Sequence, residues 1–249
     1  MTIFEITLFN ITIAPTYYGL MYALSFIVGY YVLYKRDIIP RDKLDDLFLY
    51  IFLGVVLGGR FGYIIFYDLN NYLSNPLDII KVWEGGMSFH GGVLGVVTSM
   101  ILFAKKYKID FLKLADQITL VLPIGLGLGR IGNYLNKELL GYSGYDGFFA
   151  VYLDNVGYFP SPLLEAFLEG FVLFLILNYL YIKKILKKGQ IASLFLVFYA
   201  IFRIFVEVFF RQPDAHIGYI FGVFTMGQLL TIPMLIVGII LFLRFKNDK

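Results

Sequence analysis

The segment Ile118–Gly141 reads ITLVLPIGLGLGRIGNYLNKELLG and joins an apolar run directly to a polar one. Its first eleven residues suit a lipid environment, and the residues that follow include Arg130, Asn133, Asn136 and Glu138. An ionisable residue inside a membrane span is costly and usually faces a site or a cavity. The segment therefore predicts a membrane helix that ends in a polar functional site.

The composition of the whole chain is typical of a membrane protein. Of its 249 residues, 59% are hydrophobic and 16% are charged, and the mean hydropathy is +0.76. Soluble domains have about 45–50% apolar and about 25% charged residues. Because the apolar residues fall in long runs, we predict an all-α polytopic integral membrane protein. The length suits one integral domain, residues 1–249.

The chain contains no cysteine and two histidines. The lack of cysteine excludes disulfides, thiolate metal sites and a cysteine nucleophile in this chain. Two histidines are too few to indicate a metal centre. We therefore expect no metal and no cofactor, and nothing in the composition points to a nucleic-acid partner.

The apolar runs predict about seven transmembrane helices of about 20 residues each. Residues 1–15 lack the basic flank and cleavage site of a signal peptide and are expected to lie along the membrane surface as an arm. Residues 132–162 are expected to form an extracytoplasmic loop region. The predicted spans are 16–34, 46–67, 86–104, 115–131, 163–182, 190–210 and 224–243.

The positions of the basic residues set the predicted orientation. Most of the 21 lysines and arginines lie in every second connection or at the C-terminus, whereas the alternate loops hold only Lys81, Lys137 and Arg211. By the positive-inside rule, the N-terminus lies outside and the C-terminus lies in the cytoplasm. The residues on the cytoplasmic side are Lys35, Arg36, Arg41, Lys43, Lys105, Lys106, Lys108, Lys113, Lys183, Lys184, Lys187, Lys188, Arg244, Lys246 and Lys249.

Three arginines remain, Arg60, Arg130 and Arg203, and each lies within or at the end of a predicted span. In the predicted orientation all three fall in the outer halves of their spans. His90, in the segment GGMSFHGG, begins the third span on the same side. We expect these residues to converge near the outer leaflet boundary. The guanidinium fork fits phosphate in a bidentate way, so the expected ligand is a phospholipid headgroup.

Simpler interpretations of the same residues stay open. In YAIFRIFVE, Tyr199, Arg203 and Glu207 are spaced by four and share one helix face, so an intrahelical ion pair could be the whole role of the last two. A position at the membrane rim would account for Arg130. The glycines beside Arg60, His90 and Arg130 permit close backbone approach to a ligand, or ordinary helix packing.

At these residues the sequence resembles the prolipoprotein diacylglyceryl transferase family. GRIGNYLNKELLG resembles that family's signature, G-R-[IL]-G-N-[FY]-x-N-x-E-L-x-G, and the likeness extends to YYGLMY, GGRFGY, GGMSFHGG, RIFVEVFFRQPD and MGQLLTIPM. The loop region 132–162 departs most from the family pattern. The resemblance implies that the following residues match the family's signature or its functional positions: Tyr18, His90, Arg130, Asn133, Asn136, Glu138, Gly141, Tyr199, Arg203 and Glu207.

The resemblance also implies a reaction. The family moves the diacylglyceryl group of phosphatidylglycerol onto the thiol of a lipobox cysteine in a prolipoprotein signal peptide, at the outer side of the bacterial cytoplasmic membrane. In this interpretation, Arg130 and Arg203 bind the phosphate and His90 is the general base. The supporting roles fall to Asn133 and Tyr199 as hydrogen-bond donors, Glu207 as the group that orients Arg203, and Arg60 as a further cation. The remaining residues expected to bind phosphatidylglycerol are Tyr18, Asn136, Glu138 and Gly141.

Three other functions are compatible with the same arginines. The chain could be an anion channel or transporter, a lipid-binding or scrambling protein without chemistry, or another transferase that uses outer-leaflet phospholipids. The spans are polar mainly at one end, which disfavours a pore. The length of the signature disfavours a protein that only binds lipid.

Overall fold

The computed structural model describes residues 2, 6–8, 11–13, 16–37, 39–81, 86–212 and 225–247. The chain forms two compact units. One consists of Met1–Val32 and Asp116–Lys249, and the other of Leu33–Ala115. A single integral domain over residues 1–249 stays a prediction.

Long helices dominate the described residues. A 3₁₀ turn at Pro76–Ile80 follows α3, and a π-helical segment at Ala166–Val172 joins α6 to α7 without a break. The helices are α1 (Tyr17–Arg36), α2 (Arg41–Tyr67), α3 (Leu69–Ser74), α4 (Phe89–Tyr107), α5 (Phe111–Leu135), α6 (Ser161–Glu165), α7 (Leu173–Lys183), α8 (Gln190–Phe209) and α9 (Met226–Asn247).

Each of the seven predicted spans falls on a long helix. Within the described residues, five stretches are long and apolar enough to cross a membrane, which confirms a mostly helical, polytopic membrane protein. Membrane crossing by α1 and α4, and hence the total of seven, stays a prediction. The five are Arg41–Ile65, Phe111–Leu135, Ser161–Lys183, Gln190–Phe209 and Gly227–Lys246.

Two short hairpins, which the sequence did not predict, accompany the helices. Strands β1 (Ile6–Leu8) and β2 (Ile11–Ile13) pair antiparallel in the N-terminal arm, so the polar–apolar alternation there is a strand pattern. Strands β3 (Val151–Leu153) and β4 (Val156–Tyr158) form a second hairpin in the loop between α5 and α6. Its two-residue turn, Asp154–Asn155, has positive φ at both positions, which Asn and Asp tolerate better than most residues.

The larger unit is centred on an apolar cluster between α5, α7 and α8. Its buried members are Leu120, Leu173, Leu177, Ile191 and Phe195. This cluster packs α5, α7 and α8 together. The site described below lies on α5, on α8 and on the segment that leads into α7.

Asp116, near the start of α5, attaches that helix to α8. Its two carboxylate oxygens accept hydrogen bonds from the backbone N–H groups of Gly189 (2.6 Å) and Ala192 (2.8 Å). These N–H groups lie at the beginning of α8, where a helix leaves its amides without internal partners. Asp116 therefore has a structural role.

The smaller unit rests on a close contact between α2 and α4. A β-carbon built on Gly54 would lie 2.7 Å from the carbonyl oxygen of Gly95, and one on Gly62 would lie 2.6 Å from the Cα of Gly91. Real side chains do not tolerate such distances, so these glycines allow the two backbones to touch.

Candidate functional site

The polar end of α5 meets the start of the next membrane helix in a buried ionic cluster. Arg130 lies near the end of α5, Glu165 ends α6, and Glu169 lies in the π-helical segment. The helices approach closely at two glycines, because a β-carbon on Gly170 would lie 2.7 Å from the Cα of Gly127. This contact places the guanidinium of Arg130 beside both carboxylates.

Arg130 and Arg203 share the same two glutamates. The Nε of Arg130 lies 2.8 Å from Oε2 of Glu165 and 3.4 Å from Oε2 of Glu169. From α8, the Nη1 of Arg203 lies 2.8 Å from the same oxygen of Glu165 and 3.9 Å from Oε1 of Glu169. Glu165 therefore bridges the two arginines.

The intrahelical pair on α8 is present and belongs to this larger cluster. The Nη2 of Arg203 lies 3.1 Å from Oε2 of Glu207. A β-carbon on Gly227 of α9 would lie 2.7 Å from the Glu207 carboxylate, so that glycine leaves the space the carboxylate occupies. The pair is therefore one side of a network that spans several helices.

A third arginine, Arg211, completes the cluster. Its Nη1 lies 3.1 Å from Oε1 of Glu165, and its Nε lies 3.7 Å from Oε2 of Glu207. The sequence assigned Arg211 to a loop, and it does follow α8, but its side chain is only 5% exposed. The backbone of Arg211 forms a β-bridge with that of Gly141. A β-carbon built on Gly141 would clash with Phe159 and with the carbonyl oxygen of Phe210.

The cluster balances three guanidiniums against three carboxylates, and its exposure is uneven. The side chains of Glu165 and Glu169 are fully buried, and those of Glu207 and Arg211 are 5% exposed. Arg130 and Arg203 are 16% and 11% exposed. Arg130 and Arg203 are therefore the members of the cluster with the most exposed side chains.

A second hydrogen-bond network lies one turn beyond Arg130 on α5. The side-chain amide of Asn133 donates to the hydroxyl oxygen of Tyr18, and that hydroxyl donates to Oε2 of Glu138 at 2.7 Å. The backbone N–H of Glu138 in turn donates to the carbonyl of Asn133 at 2.9 Å. These bonds fasten the end of α5 to α1.

Comparison with known proteins shows the family of the chain. The model of the prolipoprotein diacylglyceryl transferase family matches residues 5–244. The chain belongs to this family. Phosphatidylglycerol–prolipoprotein diacylglyceryl transferases of Rickettsia felis and Rickettsia canadensis are 46% and 45% identical to it, over 91% and 90% of this chain and 90% of each relative. The relative from Rickettsia bellii is 42% identical over 93% of this chain and 91% of its own length.

Membership of the prolipoprotein diacylglyceryl transferase family confirms the predicted class of enzyme. The chain is a transferase of lipoprotein biosynthesis, and a multi-pass bacterial membrane protein.

Of the residues matched to this family from sequence, several meet at the ionic cluster. Arg130, Arg203 and Glu207 are members of it. Tyr199 lies one turn before Arg203 and interacts electrostatically with Arg130 and Glu169. The ring of Tyr199 stacks on Phe195 with 5.9 Å between centroids, which fixes the hydroxyl near the cluster.

Asn136 and Gly141 have backbone roles in the transferase. The N–H of Asn136 donates to the carbonyl of Gly132 at 3.0 Å, at the end of α5. The N–H of Gly141 donates to the carbonyl of Phe159 at 2.8 Å, which ties the loop after α5 to the start of α6.

Arg60 and His90 belong to the smaller unit. The guanidinium of Arg60 donates to the backbone carbonyls of Ile79 (3.0 Å), Gly86 (3.3 Å) and Asp78, and it stacks over the ring of Tyr72. It thus holds the connection after α2 in place. His90 lies in the first turn of α4, and its side chain is outside the described part of the structure.

Glu165 and Glu169 are members of the ionic cluster that were not predicted from the sequence. Both lie in the apolar segment LLEAFLEG, inside the predicted fifth span. The cost of an ionisable residue in a span applies to carboxylates as much as to arginines, so the signal was present. The sequence argument followed the basic residues, and their distribution does not point to these two glutamates. Among the described residues, no group of three His, Asp or Glu side chains is placed to hold a metal ion.

Proposed function

We propose that this transferase moves the diacylglyceryl group of phosphatidylglycerol to the thiol of the lipobox cysteine in a prolipoprotein signal peptide, with release of glycerol phosphate. The observation that carries the proposal is the uneven exposure of the cluster, whose accessible members are Arg130 and Arg203. A guanidinium pair in a site of low dielectric suits a phosphodiester, since each fork can donate two hydrogen bonds to phosphate oxygens.

The reaction is a displacement at carbon. The cysteine sulfur attacks the glycerol CH₂ carbon, a C–S bond forms, and the C–O bond to the phosphate breaks. The electron pair of that bond leaves with the phosphate, and the thiol proton passes, by way of the base proposed below, to the product glycerol phosphate. Donors that are already oriented towards the departing charge lower such a barrier by about 3–4 kcal/mol each. Arg130 and Arg203 have this role, with Asn133 and Tyr199 as supporting donors.

The other residues position these groups. Glu207 orients Arg203 through their ion pair. The bonds among Tyr18, Asn133 and Glu138 fix the end of α5, which carries Arg130. Asn136 and Gly141 shape the chain that follows, and Gly141 does so directly beside Arg211.

His90 is the proposed proton acceptor for the thiol, because a free thiol with a pKa of about 8.5 needs a base near neutral pH. Arg60 supports it by holding the segment that leads to α4. The proposed topology has seven spans, with the N-terminus outside and the site at the outer leaflet of the bacterial cytoplasmic membrane. A precursor crossing that membrane presents its lipobox cysteine on this side.

The test uses purified protein in detergent with phosphatidylglycerol and a synthetic lipobox peptide. Mass spectrometry measures the diacylglyceryl thioether on the peptide cysteine, and Arg130→Ala is assayed in parallel. We expect product from the wild type and a loss of at least about 100-fold in the variant. Product at an equal rate from both proteins would remove Arg130 from the phosphate site.

The same assay separates the rival functions. A peptide whose cysteine is replaced by serine is the matched substrate control. If the wild type gives no thioether while a characterised transferase does under the same conditions, the reaction is excluded. Anion flux in liposomes would then indicate a channel, and lipid exchange without chemistry would indicate a lipid-binding protein.

A further inference from the structure

Glu169 is the most loosely held carboxylate of the ionic cluster. Its contacts to Arg130 are 3.4 Å and its contact to Arg203 is 3.9 Å. Glu165 lies 2.8 Å from each of these arginines and 3.1 Å from Arg211. Glu207 lies 3.1 Å from Arg203 and 3.7 Å from Arg211. Because attraction falls with distance, the two arginines hold Glu169 least, although its side chain is fully buried.

Among the described residues, the charges of the cluster balance and leave no surplus for an anionic ligand. Three arginines face three glutamates, and all six side chains lie within the helical part of the chain or directly after it. A phosphodiester carries one negative charge, so its arrival would leave one buried carboxylate without compensation. An uncompensated buried charge costs several kcal/mol, and a group in that position usually becomes neutral instead.

We propose that Glu169 takes up one proton when phosphatidylglycerol binds, so that the phosphate replaces its carboxylate as the third negative charge of the cluster. This inference rests on the proposed function, because it assumes that the phosphate binds at Arg130 and Arg203. The ionisable groups that face Glu169 are Arg130 from α5, Glu165 from its own helix, and Tyr199 and Arg203 from α8, with Glu207 and Arg211 beyond them.

The proton balance is complete without any further reactant. Water supplies one proton to Glu169 as the lipid binds. The thiol proton leaves with glycerol phosphate, which departs as a monoanion, so Glu169 keeps its proton during the chemical step. When the product leaves, Glu169 returns the proton to water and pairs again with Arg130 and Arg203. Glu169 is therefore a charge-compensating residue and is separate from the base that accepts the thiol proton.

Glu169 lies in the π-helical segment. A π-helix has i→i+5 hydrogen bonds, is less tightly wound than an α-helix and often occurs at functional sites. Glu165 lies in the regular turn before it. Glu165, the firmly held carboxylate, thus lies in the α-helix, and Glu169, the loosely held one, lies in the π-helical segment.

The test measures protons taken up on binding of dioctanoyl phosphatidylglycerol to the intact protein in detergent. Titration calorimetry in buffers of different ionisation enthalpy gives the number of protons per lipid. Near neutral pH we expect close to one for the wild type. Since binding then consumes a proton, lipid affinity falls as pH rises, by up to about tenfold per unit where the coupling is complete.

Two variants make the result specific. Glu169→Gln removes the proton acceptor with little change of shape, so it should bind the lipid with no proton uptake and with an affinity independent of pH. Asp146→Asn, an exposed residue of the loop after α5, is the matched control and should behave as the wild type does. Proton uptake by Glu169→Gln equal to that of the wild type would overturn the proposal.

A second measurement needs no variant and therefore does not depend on its folding. Infrared difference spectra of the wild type should gain the carbonyl band of a protonated carboxyl group when the lipid is added. If the wild type forms thioether product and binds lipid but shows neither proton uptake nor this band, the proton exchange is wrong while the transferase function stands. If it forms no product, the proposed function itself fails.

Discussion

Three arginines occupy one cluster, yet they differ in how much of each side chain a ligand could reach. Arg211 is held between Glu165 and Glu207 and is nearly covered, whereas Arg130 keeps 16% of its side chain exposed. This difference supports the proposed division of roles, in which Arg211 holds the carboxylates in place and Arg130 with Arg203 binds the phosphate.

Replacing Arg130 with lysine tests whether the shape of the guanidinium matters. Arg130→Lys keeps the positive charge but loses the planar guanidinium. Only the guanidinium has enough oriented N–H donors to bind two phosphate oxygens and Glu165 at the same time. We expect the rate of thioether formation to fall by about 100-fold, within the range seen for loss of one oriented donor. Arg244→Lys, at the exposed end of α9, is the control. A full rate in Arg130→Lys would mean that charge alone suffices.

The assignment of His90 is tested by a pair of variants, since the chain has only two histidines. His90→Gln should lower turnover by at least about 100-fold, the scale of general-base catalysis, and leave lipid binding near that of the wild type. His216→Gln is the matched control and should keep its turnover. Unchanged turnover in His90→Gln would remove this residue from the role of base.

At the residue scale, the sequence predicted the arginines better than their partners. Arg130 and Arg203 stood out because a guanidinium within an apolar run is rare and costly. The carboxylates of Glu165 and Glu169 were equally unusual but could not be assigned to these arginines, because the pairing depends on which helix faces touch. That contact is set by Gly127 and Gly170, about 40 residues apart in the chain.

At the scale of elements, the contact between α5 and the π-helical segment determines the site. A β-carbon on Gly170 would meet the backbone of Gly127, whereas one on Gly129 would meet nothing within 4 Å. Two glycines of the motif GLGLG that look equivalent in sequence therefore have different roles. The glycine-rich pattern predicted close packing but could not show which glycine provides it.

This difference predicts opposite results for two alanine substitutions. Gly170→Ala should separate the helices, destabilise the protein by about 1–3 kcal/mol and lower turnover, because backbone atoms cannot move aside easily. Gly129→Ala should leave turnover unchanged and add up to about 1 kcal/mol, since alanine favours the helix. Thermal unfolding in detergent and the thioether assay measure both effects. Equal stability of the two variants would contradict the role of the glycine contact.

The sequence placed the long helices well, because apolar runs of about 20 residues have a clear signal. It missed both hairpins, since strands of three residues give only a weak period, and the alternation in the N-terminal arm was assigned to a segment along the membrane surface. It also missed the π-helical segment, whose trace is a row of buried residues spaced by four: Glu165, Glu169, Leu173 and Leu177. An α-helix would rotate such a row steadily away from the core, and the wider π turn compensates for part of that rotation.

At the scale of the whole molecule, the orientation in the membrane is the main prediction that remains. The chain has no cysteine, so single cysteines can report on it without any prior substitution. A cysteine at Phe148, which is 81% exposed in the loop after α5, should react with an impermeant maleimide added to intact cells. A cysteine at Ile185, 69% exposed in the turn after α7, should react only after the membrane is opened. The reverse pattern would invert the proposed topology.

The pairing within the ionic cluster also has a consequence for how the protein is made. Its helices leave the ribosome in the order α5, α6 to α7, then α8. Arg130 first brings one positive charge, Glu165 and Glu169 then change the total to one negative, and α8 with Arg211 restores neutrality. The net charge of the cluster residues made so far therefore never exceeds one in magnitude. Each new helix carries the counterions of those before it, so insertion in chain order keeps the uncompensated charge in the bilayer small.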